Sequence, residues 1–207
     1  MKALFKEIRY GDLAAVRARL DVNPALVHAT AKSPPKKDDG QSTLQVAIKS
    51  ANFPIATLLL DRGADVNFME QPAINTWRAP VLHDALRAAV LSARFWRNRA
   101  LPGDEPRWEW CSTLERFNEA CDVLVRILDL GASVHQVDSF GNSALGRACL
   151  DARQVLDSVI PPELDEDLER VFTLLLAAGA DPDAVEPNRG QTLRALYGAD
   201  PVAHFFG

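Results

Sequence analysis

The sequence predicts an all-α fold, a solenoid of stacked helix-turn-helix units with extended loops, and three observations support this. An apolar helical segment followed by Gly-Ala and a short polar turn occurs three times, closing at residues 63–67, 131–135 and 179–183. The aliphatic residues before each Gly recur at helical spacing. The Gly itself suits the left-handed conformation in which many helices end. One such unit cannot bury its own apolar face, so its repetition predicts stacking.

Two units are expected in the first third of the chain, at residues 1–31 and 38–67. The second has Pro54 in the first turn of its second helix, where a missing N–H costs nothing, and Gly63 at its end. Between the two units, residues 32–39 are polar and rich in proline. We expect this linker to form a long exposed finger.

The segment from Gly40 to Asn67 resembles an ankyrin repeat over nearly its whole length. Residues 42–47 read S-T-L-Q-V-A where the family has T-P-L-H-x-A, so Thr43 and Gln45 depart from the pattern. The segment closes with the family's G-A-D-V-N. The resemblance implies an ankyrin-type α-solenoid of about five units, the first and last degenerate, which together form a single domain over residues 1–207.

Three further units complete the chain. The third, residues 75–135, contains the L-H-x-A pattern and an insertion at about 93–118. The fourth, residues 138–183, contains an insertion at about 153–166. The last, residues 187–207, is a truncated closing unit, which fits the need to cap an open apolar stack.

The insertion in the third unit is expected to be helical. Residues 85–100 contain neither Gly nor Pro, and residues 112–129 form a second segment that favours a helix. Residues 101–106 contain two Pro and one Gly and are expected to form a loop. The insertion is therefore predicted to lengthen both helices of the unit.

Composition and motifs argue against several classes of protein. The net charge of −5 gives no basic footprint for nucleic acid, and no apolar run is long enough to span a bilayer, so neither partner is expected. The absence of an N-terminal signal core favours the cytoplasm. The three Cys lack metal-ligand spacing and are expected to be free thiols, with no metal and no cofactor. No catalytic motif occurs, so we expect a protein that is not an enzyme. The resemblance implies that His83 bridges backbone groups between neighbouring units.

The resemblance also implies a binding surface made of the finger tips and the outward positions of each first helix. Carried over to this sequence, the expected contact residues are Asp38, Asp39, Gln41, Lys49, Trp77, Arg78, Arg87, Ser139, Phe140 and Asn142.

The tryptophans of the insertion allow two interpretations. Trp96, Trp108 and Trp110 could pack the two lengthened helices onto each other. Alternatively, Trp108 and Trp110 contact a partner, since Trp and Arg are the residue types most enriched at binding hot spots.

These patterns predict a protein-protein interaction module, monomeric when free, that acts as an inhibitor, immunity protein or adaptor for a partner protein. The alternative is an enzyme or modifier with a site formed by the inserted helices 93–118. Self-assembly through the insertions is a third possibility.

Overall fold

The computed structural model describes residues 1–74, 76–156 and 160–207, and it is mostly helical. Its α-helices are α1 (Lys2–Tyr10), α2 (Leu13–Val22), α3 (Thr43–Lys49), α4 (Phe53–Asp61), α5 (Val81–Leu91), α6 (Leu114–Asp129), α7 (Ala144–Ala152), α8 (Pro162–Ala177) and α9 (Leu193–Tyr197). Short 3₁₀ turns cover Pro24–His28, Lys36–Asp38 and Pro201–Phe206. Two strands, β1 (Trp96–Asn98) and β2 (Trp108–Trp110), form one small antiparallel sheet.

The helices pack in consecutive pairs, and the pairs pack on each other. Helices α1, α3, α5 and α7 pack against α2, α4, α6 and α8 respectively. Between pairs, α1 packs on α3, α3 on α5 and α5 on α7, which makes one row of helices. A second row forms in the same way, with α2 on α4, α4 on α6 and α6 on α8. Helix α9 packs on the last 3₁₀ turn. The resulting core is aliphatic along its length, with Phe53, Phe117 and Phe172 as its largest fully buried side chains.

Helix ends follow the chemistry expected from the sequence. Gly63, Gly131 and Gly179 have φ of 81°, 86° and 95°, as predicted for left-handed residues that end a helix. At the other end of α3, the Ser42 hydroxyl accepts the backbone N–H of Gln45, and the Gln45 side chain accepts the N–H of Ser42. This reciprocal pair satisfies two donors that a helix start leaves free.

The predicted lengthening of the first helix in the third unit is wrong. Helix α5 ends at Leu91, and the inserted residues form a β-hairpin in which Trp96 lies opposite Trp110 and Asn98 opposite Trp108. Aromatic and polar residues alternate along β2, which reads Trp-Glu-Trp and has the two-residue period of a strand. Trp also favours strands, so this alternation outweighs the absence of helix breakers.

Two predicted boundaries fall on parts of the chain outside the described residues. The predicted third unit begins at residue 75, and the predicted insertion of the fourth unit includes residues 157–159. Among the residues that are described, no helix is both long enough and apolar enough to cross a membrane.

Candidate partner-binding surface

The structure brings together the finger tips of the third and fourth units. The backbone N–H of Arg78 donates to the Ser139 hydroxyl at 3.1 Å, and the N–H of Ser139 donates to the Arg78 carbonyl at 2.9 Å. The rings of Trp77 and Phe140 lie 5.2 Å apart between centroids. Phe140 is 68% exposed, although it is a large apolar side chain. Four of the expected contact residues thus form one cluster.

A fifth residue, which the sequence reasoning missed, joins this finger-tip cluster. The guanidinium of Arg147, on α7, lies 5.7 Å from the centre of the Trp77 ring, within the range of a cation–π contact. Arg147 also donates to Asp151 at 2.8 Å. Its position in the L-G-R-A motif, next to an expected core position, was the signal that could have identified it.

Three expected contact residues of the first finger are buried, so their predicted exposure is wrong. Asp38 pairs with Arg9 on α1, and the Gln41 amide donates to the Lys37 carbonyl at 2.9 Å. Asp39 is also buried. A polar segment can leave solvent when its hydrogen bonds are satisfied internally.

Asp39 shows how the buried base of this finger is held, while most of residues 32–37 stay exposed. Its carboxylate accepts the backbone N–H groups of Ser33 at 2.9 Å, Ala73 at 2.7 Å and Ile74 at 3.2 Å. The bonds from Ser33 and Ala73 lower the pKa of Asp39, because they favour the charged carboxylate. Asp39 therefore ties its own finger to the next one.

Asn142, another expected contact, is also buried. Its amide donates to the Asp138 carboxylate at 2.9 Å, and its backbone N–H donates to the same group at 3.1 Å. Asn142 closes the turn of the fourth finger, and its predicted exposure is wrong. The Asp138 carboxylate also accepts the N–H of the exposed Phe140, so this turn fixes the finger tip.

Lys49 and Arg87, expected to face a partner, form ion pairs between neighbouring first helices. Lys49 Nζ lies 2.9 Å from Glu70 Oε1 and 3.6 Å from Asp84 Oδ1 on α5. Arg87 pairs with Asp151 on α7. We call Lys49, Glu70, Asp84, Arg87, Arg147 and Asp151 the charge row. Its acidic members are buried and its basic members are partly exposed, so the row crosses the α3–α5 and α5–α7 contacts.

Burial shifts the pKa values of two neighbouring groups of α5. It raises the pKa of Asp84 to about 7, opposed by the nearby Lys49 ammonium. It lowers the pKa of His83 to about 4. His83 Nε2 lies 3.3 Å from the Gln136 carbonyl, in the loop after α6. Its Nδ1 is buried and has no hydrogen-bond partner among the described residues, so the imidazole makes only one of the two backbone contacts that the expected bridge requires.

The hairpin exposes all three tryptophans of the insertion. Trp96 and Trp110 stack with centroids 4.1 Å apart, and Trp96, Trp108 and Trp110 are 41%, 53% and 42% exposed. Residues opposite one another or two apart on a strand share a face, so the three rings lie on one face of the hairpin. The second of the two expected helices does form, as α6. The interpretation that the tryptophans pack two lengthened helices together is nevertheless wrong, because α5 ends at Leu91 and all three rings are exposed on the hairpin.

The enzyme alternative predicts a site on inserted helices at 93–118. In this range, residues 96–110 form the hairpin and its turn, and the only helical part is the start of α6. Within the described ranges, no three His, Cys, Asp or Glu side chains are grouped to hold a metal ion. Cys121 and Cys149 are buried, and burial raises the pKa of the Cys121 thiol to about 11, which disfavours the reactive thiolate.

Comparison with known proteins adds no relative: no protein-family model matches the chain, and no curated protein gives a significant match.

Proposed function

We propose that the chain is an ankyrin-type solenoid that binds another protein without chemical conversion. The support is the recurrence of the Gly-capped unit together with two rows of helices, in which each pair packs on the next. Repeats of this kind give a rigid extended surface, so little ordering entropy is lost when a partner docks.

The observation that carries the proposal is that two exposed aromatic groups lie at opposite ends of α5. The finger-tip cluster precedes this helix, and the tryptophan face of the hairpin follows it. The helix between them has eleven residues and is about 16 Å long. Large exposed aromatic side chains are typical of interface hot spots, and two such groups at this distance suit the contact area of one protein partner.

The proposal extends to the role and setting of the protein. We assign it as an inhibitor, immunity protein or adaptor that is monomeric before it binds, and we place it in the cytoplasm. Three free thiols are consistent with a reducing compartment. Protein is preferred to nucleic acid as the partner, because the chain carries a net charge of −5.

The test is capture of partners from the native host, followed by mass spectrometry, with wild-type protein and with the double variant Trp77→Ala/Arg78→Ala. We expect a stoichiometric partner with the wild type and its loss with the variant, while the thermal transition stays nearly in place. The matched control is Tyr10→Ala, which removes a ring that is 78% exposed on α1, far along the chain from both aromatic groups. Equal capture by the double variant and the control would contradict the finger-tip assignment.

A further inference from the structure

A cavity of about 390 Å³ lies where the hairpin returns to the helices. Its walls come from α3, the start of α4, α5, the start of α6 and the two residues that follow β2. The residues that matter for its chemistry are Lys49, Asp84, Arg87, Cys111, Ser112 and Arg116. Cys111 continues the hairpin ladder by donating its N–H to the Phe95 carbonyl at 2.9 Å, so the hairpin base fixes this wall.

Two arginines in the wall have donors left to offer. Arg87 directs Nη1 to Asp151, yet a guanidinium carries five N–H groups, and its side chain is 41% exposed. Arg116 is 43% exposed, and its Nη1 lies 3.6 Å from the Glu119 carboxylate. The Arg116 guanidinium also lies 4.7 Å from the centre of the Phe53 ring, which holds the side chain in place. Both guanidinium groups are therefore held in place and still have N–H donors available for a ligand.

Two more donors belong to residues that line the cavity. Lys49 directs its ammonium to Glu70 at 2.9 Å, and an ammonium has three N–H groups. The Ser112 hydroxyl oxygen is buried and has no hydrogen-bond partner among the residues described. A buried polar atom without a partner costs free energy, which a ligand that accepts its hydrogen bond would recover.

One carboxyl also lines the cavity, and its bonds are already made. Asp84 Oδ2 accepts the Gln45 amide at 2.9 Å, and Asp84 Oδ1 lies 3.6 Å from Lys49. Its charge is thus offset from within the charge row. The three cations that line the cavity are paired with Glu70, Asp151 and Glu119, yet each keeps N–H groups beyond its partner. These remaining donors favour an acceptor that carries negative charge.

We propose that this cavity binds a carboxylate, and that in the complex the carboxylate is an Asp or Glu side chain of the partner protein. The inference rests on the proposed function. The side-chain source is favoured by location, since the cavity adjoins the base of the tryptophan hairpin and a partner covering those rings would reach it. Charge complementarity of this kind steers association and fixes the register of a complex.

The first experiment tests the cavity without any partner. N-acetyl-glutamate N-methylamide is titrated into the protein at constant ionic strength, with N-acetyl-glutamine N-methylamide as the uncharged match, while NMR follows the side-chain Nε–Hε signals of Arg87 and Arg116. We expect saturable shifts in the millimolar range with the glutamate compound and none with the glutamine compound. Linear shifts with both compounds would overturn the proposal.

Variants locate the binding. Arg116→Gln should weaken the glutamate compound about tenfold, and Ser112→Ala should weaken it several-fold. Arg126→Gln is the control, because Arg126 lies on the same helix but pairs with Asp61 outside the cavity. Equal affinity in Arg116→Gln and Arg126→Gln would refute the site, even if an anion binds elsewhere.

A final experiment distinguishes a partner side chain from a small molecule as the source of the carboxylate. It also distinguishes failure of the cavity proposal from failure of the proposed function. Succinate that binds more than 100-fold tighter than the blocked glutamate would overturn the side-chain assignment in favour of a small-molecule ligand. Saturable binding at the cavity, combined with unchanged partner capture by Trp77→Ala/Arg78→Ala, would leave the cavity intact and contradict the finger-tip surface instead.

Discussion

The α5–α7 contact and the hairpin after α5 use charged and aromatic residues in opposite ways. In the helical contact, Arg87 pairs with Asp151, whose side chain is fully buried. In the hairpin, the rings of Trp108 and Trp110 are exposed, and the Arg107–Glu109 pair is solvated. Charges hold the helices in register, whereas aromatic rings form the free surface. Residue type alone therefore does not reveal whether a side chain serves the fold or a partner.

We expect the largest loss of unfolding free energy from a substitution in the helical core. Leu59→Ala removes a fully buried side chain from α4, and we expect a loss of about 2–5 kcal/mol in the free energy of unfolding from the cavity left behind. Urea denaturation followed by circular dichroism measures it. A loss below about 1 kcal/mol would mean that the α4 face is not in the core.

Breaking the charge row should lower the free energy of unfolding almost as much. Asp151→Ala leaves Arg87 and Arg147 without their shared carboxylate, and we expect a loss of about 2–4 kcal/mol, below the full buried-pair value because both arginines are partly exposed. Asp104→Ala, in the exposed hairpin turn, is the matched control and should change the unfolding free energy by less than about 0.5 kcal/mol. Similar losses for the two variants would remove the contrast between the regions.

The pH dependence of stability gives a sharper comparison within α5. The pKa of Asp84 is raised from 3.8 to about 7, so its contribution to stability is present below pH 4 and is lost as the pH rises through 7. The pKa of His83 is lowered from 6.5 to about 4, so its contribution is present above pH 6.5 and is lost as the pH falls through 4. Between pH 4 and 6.5, Asp84 makes the unfolding free energy fall as the pH rises, whereas His83 makes it rise.

Asp84→Asn should reveal how much of the pH dependence of the unfolding free energy comes from Asp84, which His83 partly masks in the wild type. Relative to wild type, its unfolding free energy should rise by about 2–4 kcal/mol between pH 4 and 8, because the variant no longer deprotonates a buried carboxyl. Asn can still accept the Gln45 amide that Asp84 accepts now. Denaturation curves at several pH values measure this difference, and a constant offset across that range would contradict the shifted pKa of Asp84.

The smallest effect on stability is expected in the hairpin. Trp108→Ala removes a ring that is 53% exposed, so the unfolding free energy should change by less than about 0.5 kcal/mol. Partner capture should nevertheless fall, since hot-spot rings cost 2 kcal/mol or more of binding when truncated, roughly a 30-fold loss of affinity. A variant that unfolds instead would show that the hairpin packs as part of the core.

The glycine-ended helices were predictable because their causes are local. Gly63 ends its helix in the left-handed region, which a Cβ would strain, and the aliphatic periodicity before it identifies the buried face. The candidate surface was predicted in part. Trp77, Arg78, Ser139 and Phe140 do come together, whereas the exposure expected of Asp38, Asp39, Gln41 and Asn142 was wrong.

By itself, the sequence determined where the glycine-ended helices lie and where they end, since propensity, capping and apolar spacing act within a few residues. It did not determine the end of α5, where the hairpin replaces a predicted helix. Only the tertiary structure decided which polar residues would be buried. Two of the three backbone donors to Asp39 lie 34 and 35 positions away, and Arg87 pairs with Asp151 at a separation of 64 positions. No local pattern encodes these contacts. The hairpin shows the same dependence, because pairing Trp96 with Trp110 joins two short segments, and each segment alone is too short to specify a strand.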